Sequence, residues 1–283
     1  MRIIAYLHGL LCFFWVEKLL FEQKPVQEEK RFDDVPWTIQ QTKTGLVLTL
    51  LPWLVLTLAI SLLNGRAINP APLPPGKDIA NAIVIFIFSL VVHGAFLIAP
   101  FHYALRPYQA YPRRQRFQLA LRTLVFTSFS ARQVSSLIIA CLLAIFVLSI
   151  AYAQLVTAFH LNVQTNDQFI LKMSKATPFT TYAILLEAVL VAPFCEEIFF
   201  RGFVLPGLLK GVSVFMAIFW CALLFGLAHG DVGSFVVLFG IGLALSFLRW
   251  RTRSIWPSII LHMLNNGLSA LLIVLVMRGA IRA

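Results

Sequence analysis

The chain has 283 residues, 59% of them hydrophobic and only 12% charged, with a net charge of +11 and a mean hydropathy of +0.84. A soluble domain carries roughly 45–50% apolar and about 25% charged residues, so composition excludes an ordinary soluble enzyme and predicts an all-α, polytopic membrane protein. The positive charge would raise nucleic acid as a partner of a soluble chain; here the excess of Lys and Arg in cytoplasmic loops accounts for it, and no nucleic acid is expected.

Residues 3–21 are apolar and follow Arg2, which fits a retained first helix or a signal peptide. No small-residue cleavage site follows in "FEQKPVQEEKRFDD", so a retained helix is expected, and with its charged linker it makes an N-terminal unit of 1–44. The rest, 45–283, reads as one helical membrane domain. Runs near the ~20 residues that cross a bilayer lie at 45–63, 79–101, 135–158, 181–207, 213–230, 232–249 and 255–277. That makes about eight helices. The Pro-rich stretch "NGRAINPAPLPPGKD" (64–78) predicts an extended loop. Cys12, Cys141, Cys195 and Cys221 all sit in apolar runs without a CxxC, as packing residues do.

Several spans contain polar residues that a bilayer penalises by at least ~2.5–3.5 kcal/mol per charge. The stretch "APFCEEIFFRGFVLPGLL" (192–209) holds Glu196, Glu197 and Arg201. Residues four apart share a helix face, whereas neighbours are rotated by about 100°. Glu197 can therefore pair with Arg201, while Glu196 points elsewhere and is free to act. A single packing network of all three charges is the alternative. Later spans add "FGLAHG", with Phe225 and His229 on one face, and "LHMLNNG", with His262 and Asn266 on one face. His93 and His102 read as lone core histidines. A glutamate, two histidines and an asparagine from three late helices satisfy one another most cheaply, which predicts a polar pocket inside the membrane. A Glu with a His can deprotonate water, and a second His with an Asn can donate hydrogen bonds to an oxyanion. Those are the parts needed to hydrolyse an amide. Neither G-x-S-x-G nor H-E-x-x-H is present. A zinc site on Glu196, His229 and His262 stays open from ligand types alone.

The order EExxxR ("EEIFFR"), FxxxH ("FGLAH") and HxxxN ("HMLNN") on successive hydrophobic segments resembles the CAAX prenyl protease 2 family, also called the CPBP or ABI family of intramembrane proteases. The resemblance covers about 181–270, and the first 180 residues resemble the family only in being hydrophobic helices. It implies an eight-helix membrane fold and an endopeptidase. In that reading Glu196 is the general base and His229 helps to activate the water. His262 and Asn266 form the oxyanion hole, with Glu197, Arg201 and Phe225 in support. It implies no metal, zinc being the alternative, and a peptide or lipidated protein as substrate. Two other classes remain. A proton-coupled transporter is mildly favoured by Glu187, nine residues before Glu196 and roughly on the opposite face. A non-catalytic scaffold would reuse the same fold. One feature resists a simple bundle: at 1.5 Å per residue, straight hairpins leave His262 about 15 Å from His229, unless the chain breaks near "HGDVGS" (229–234).

Counting Lys and Arg in alternate loops gives fourteen on the side that contains 106–122 and six on the other. That side is expected in the cytoplasm, of the plasma membrane, with "RPYQAYPRRQRFQLALR" lying against anionic headgroups. A topology reporter fused after Gln118 is expected to score cytoplasmic; activity on the opposite side would reverse the orientation of every span.

Overall fold

Inside a bilayer every backbone amide must be satisfied within the chain, and long runs of Leu, Ile, Val, Ala and Phe do so as helices. A computed structural model describes residues 35–64, 72–161, 163 and 165–281. The proposed first helix at 3–21, and with it the linker up to residue 34, lies outside the described residues. From Val35 onward the chain is one unit, helical throughout and without a strand among the described residues.

The helices are α1 (Ile39–Asn64), α2 (Pro75–Ala95), α3 (Ile98–Leu105), α4 (Arg113–Thr123), α5 (Ala131–Ala158), α6 (Asn166–Ser174) and α7 (Pro178–Glu197). A wider π-type segment, Ile198–Val204, leads into α8 (Leu205–Leu209). Then come α9 (Val214–Ala228), α10 (Phe235–Thr252) and α11 (Trp256–Met277). Each of the seven spans expected between 45 and 277 falls on helix. The stretches 75–108, 134–158, 235–252 and 256–277 are long and apolar enough to cross a membrane, and 214–228 is a shorter apolar helix. The protein is an all-α polytopic membrane protein. α1 starts at Ile39, six residues before the expected span, and the basic block 106–122 folds mostly as α4.

Proline and small polar residues set the helix starts. Pro75, Pro178 and Pro257 stand in first turns, where a missing N–H costs nothing. Thr165 and Gln168 form a capping box on α6, and Ser213 caps α9. α2 shows the lipid a row of exposed Ile83, Val84, Ile87 and Val91. Its other face carries Asp78, Ala82 and His93, all buried.

Asp78 fixes the register of α2 on α7. Its carboxylate accepts from the backbone N–H of Phe179 at 2.8 Å and of Thr180 at 3.1 Å, and from the Thr180 hydroxyl at 2.6 Å. One side chain thus satisfies two orphan donors of the α7 N-terminus. α9 and α10 approach closely at Gly242, where a Cβ would lie 2.9 Å from the Ala222 Cα. That contact needs glycine and brings the α10 backbone to the edge of the polar cluster.

Candidate active site

The polar residues of the late helices converge. Glu196, the last residue but one of α7, has its Oε2 3.9 Å from His229 Nε2 and 3.9 Å from His262 Nε2. The expected depth mismatch between the two histidines is absent. Residues 229–234 interrupt the helices where the sequence suggested, and α9 has 15 residues against 18 in α10, so α10 is free to start at a different depth from His229.

Glu197 turns away from Glu196, as the 100° rotation requires. It is fully buried, and its Oε1 accepts from Arg201 NH1 at 2.8 Å and meets His262 Nδ1 at 3.0 Å. Arg201, also fully buried, sends NH2 to the Gly242 carbonyl at 3.1 Å. Its guanidinium lies 4.5 Å from the centre of the Phe225 ring, a cation–π contact that helps to offset desolvation. Phe225 also packs on His229 at 4.6 Å and His262 at 5.6 Å between ring centres. The i, i+4 ion pair read from the sequence is present, and its Arg201 lies inside the wider π-type turn that begins directly after Glu197. Such turns concentrate at functional sites because they displace side chains from regular α spacing.

Hydrogen bonding fixes the imidazole tautomers. His229 Nδ1 lies 2.7 Å from the Phe225 carbonyl, so Nδ1 carries the proton and Nε2 faces Glu196. His262 Nδ1 faces the Glu197 carboxylate, which sets the same tautomer. Asn266 donates one N–H to the Ala188 carbonyl at 2.8 Å, tying α11 to α7 and keeping a second N–H. The His229 side chain is 24% exposed, against 3% for His262, so the cluster opens at the polar loop 229–234.

Two members were not foreseen. His93, on α2, places Nδ1 2.8 Å from Glu187 Oε1 and Nε2 3.8 Å from Glu196 Oε1. It is not an isolated core histidine. Glu187 and Glu196 do not serve opposite faces, because both reach the same ring; Pro193 interrupts the helical ladder between them. The available signal was a polar stripe, Asp78, Ser89 and His93, within about 60° on one face of a lipid-embedded helix. His102 is exposed and contacts Tyr103, outside the cluster. Cys141, Cys195 and Cys221 are free and buried, as packing residues are.

The three signature motifs therefore occupy one cluster, and comparison with known families bears on the same segment. Residues 178–268 match the family model described as type II CAAX prenyl endopeptidase, Rce1-like. That match takes in about a third of the chain and includes all three motifs. Among curated proteins the chain is similar to the "Putative membrane peptidase YdiL" of Bacillus subtilis (strain 168), 30% identical over 101 residues. That alignment covers 36% of this chain and 40% of the relative, so the chain spans less than half the length of the relative it matches. No solved structure matches the chain.

Replacing Glu197 tests the structural half of the cluster. Glu197→Ala strands the Arg201 guanidinium in a buried site, which costs about 3–5 kcal/mol. The expected result is a lower thermal midpoint and a lower detergent-solubilised yield than for Glu196→Gln, measured side by side. Equal stability of the two variants would contradict the division between the adjacent carboxylates.

Proposed function

We propose that the protein is an intramembrane endopeptidase that hydrolyses a peptide bond of a membrane-associated substrate with a water activated by Glu196 and His229. The observation that carries this reading is the common 3.9 Å separation of Glu196 Oε2 from the Nε2 atoms of His229 and His262. It is too long for a direct hydrogen bond and suits one bridging water.

The chemistry follows from the tautomers. A water between Glu196 and His229 gives a proton to Glu196 as its oxygen attacks the substrate carbonyl. The carbonyl π electrons move to oxygen and form a tetrahedral oxyanion. Glu196 then returns the proton to the leaving amine as the C–N bond breaks. Asn266 donates its second N–H to the oxyanion. His262, with one N–H directed at Glu197, donates from Nε2 only as an imidazolium, and the Glu197 carboxylate is the partner such a cation requires. The charge count of the cluster leaves room for that form. The cluster sets three carboxylates, Glu187, Glu196 and Glu197, against the one guanidinium of Arg201, so neutrality asks for protons on its histidines or carboxyls.

Zinc fits the donors less well. Glu196, His229 and His262 would be its ligands, yet tetrahedral ligands at 2.0–2.1 Å from the metal lie roughly 3.3 Å apart. The separations here are wider, and among the described residues no set of three His, Cys, Asp or Glu has metal-holding spacing. The reaction is proposed here without a metal. The substrate class is a peptide or lipidated protein held at the bilayer, which enters where the cluster opens near 229–234.

Two measurements test this reading. With a fluorogenic peptide anchored in liposomes by a prenyl or acyl chain, Glu196→Gln should abolish cleavage, and Asn266→Ala should lower the rate about 10²–10³-fold, the usual effect of losing one oxyanion donor. Full activity in Glu196→Gln would end the assignment. Separately, elemental analysis of the purified wild type should find well under one zinc per chain; one tightly held zinc, lost together with activity in His229→Ala, would favour a metalloprotease.

A further inference from the structure

We propose that His93, backed by Glu187, is a positioning residue for Glu196, holding Oε1 so that Oε2 alone is presented to water and substrate. This rests on the reading of Glu196 as the base. The two oxygens of Glu196 have separate surroundings: Oε2 faces His229 and His262, whereas Oε1 faces His93 Nε2 at 3.8 Å. At 3.8 Å this approach, like the other two, is too long for a direct hydrogen bond; it acts on Oε1 through its charge or through one bridging water, and flanking both oxygens biases the carboxylate toward one rotamer.

The ring that supplies the contact is itself held. Asp78 locks the start of α2 to the start of α7 at Phe179 and Thr180. Fifteen residues further along two helices running side by side, His93 falls level with residue 194, between Glu187 and Glu196. Its Nδ1 lies 3.1 Å from the Ser89 carbonyl and 2.8 Å from Glu187 Oε1, so the proton is on Nδ1 and Nε2 is directed at Glu196. Trp53 and Phe96 pack on the ring, each 5.9 Å between centres. Trp53 is fixed in turn by its indole N–H on the Ala228 carbonyl at 2.7 Å, the residue before His229. Glu187 is a buried carboxylate on a membrane helix, with an Oε1 that makes no hydrogen bond of good angle. A charge kept at that cost needs a function, and its nearest ionisable neighbour is His93.

His93 thus stands between two carboxylates, Glu187 on its Nδ1 side and Glu196 on its Nε2 side. When the imidazole is charged, it balances one carboxylate at each nitrogen and holds the working glutamate without donating to substrate. α2 lies outside residues 178–268, so this support comes from a part of the chain that the family match does not reach.

The test uses the full chain in liposomes, with His93→Gln, Glu187→Gln, the double variant, and Glu196→Gln as reference. His93→Gln and Glu187→Gln are each expected to lower kcat about 10–100-fold, the usual effect of removing an orienting partner. KM should stay within about twofold of wild type, and the thermal midpoint should stay unchanged. The double variant should be no worse than the poorer single one, because both act through one ring. Wild-type kcat in His93→Gln, a loss confined to KM, or multiplying losses in the double variant would overturn the proposal. Should His93→Gln fold poorly, Glu187→Gln decides in its place, and wild-type kcat there would overturn the proposal equally. Labelling of Glu196 by dicyclohexylcarbodiimide, read by mass spectrometry on the whole chain, needs no substrate. It should be several-fold faster in His93→Gln, where Oε1 is freed for the reagent, and an unchanged rate would overturn the proposal. If Glu196→Gln is dead while His93→Gln is unaffected in both measurements, only the positioning role fails; if Glu196→Gln is active, the base assignment fails first.

Discussion

The fully buried pair of Glu197 and Arg201 is the constraint on which the rest of the cluster depends. Neither charge could stay in a low-dielectric interior without the other. The ways in which the pair is satisfied determine what surrounds it. The guanidinium reaches the α10 backbone at Gly242 and lies over Phe225 of α9, and the carboxylate reaches His262 of α11. Four segments are therefore tied to one ion pair. The close passage of α9 and α10 at Gly242 also serves it, since a larger residue would push the accepting carbonyl away.

Two adjacent glutamates on one helix can have opposite functions because 100° of rotation separates them. Glu197 is consumed by structure. Glu196 keeps one oxygen, Oε2, without a hydrogen bond, among imidazole nitrogens whose protons lie on their far sides. Every Nδ1 in the cluster has an acceptor: a backbone carbonyl for His229, Glu197 for His262, and Ser89 with Glu187 for His93. Each Nε2 turned toward Glu196 is therefore an acceptor while its ring is neutral and a donor once the ring is charged, so the charge balance of the cluster decides what surrounds the carboxylate. In the proposed chemistry the oxyanion is met by Asn266 and by a charged His262, which ties that proposal to the charge balance of the cluster.

The cluster also joins two parts of the chain with different relationships to known proteins. α7, α9 and the first part of α11 lie in the segment that matches the CAAX-endopeptidase family model. α2 does not, yet it supplies His93 and is clamped to α7 through Asp78. Because the clamp sits at the far end of both helices from Glu196, the register of the site is set about 20 Å away along the helix axis. A helix that reads from composition alone as a lipid-facing span therefore has one face turned toward Glu196.

The sequence by itself determined the class, the spans and the late-helix cluster. Apolar runs of bilayer length have no alternative to helix, and charges inside them must pair. The spacing of Glu197 and Arg201 by four residues was enough to separate the two carboxylates, and the break at 229–234 could be placed from its Gly and Asp. Only the tertiary structure decided that His93 and Glu187 belong to the site. Their roles depend on which helix packs beside α7 and at what register. That register comes from Asp78 meeting Phe179 and Thr180 about a hundred residues away in the chain. Helical periodicity is local: it orders side chains around one axis, and it does not say which axis stands next to it.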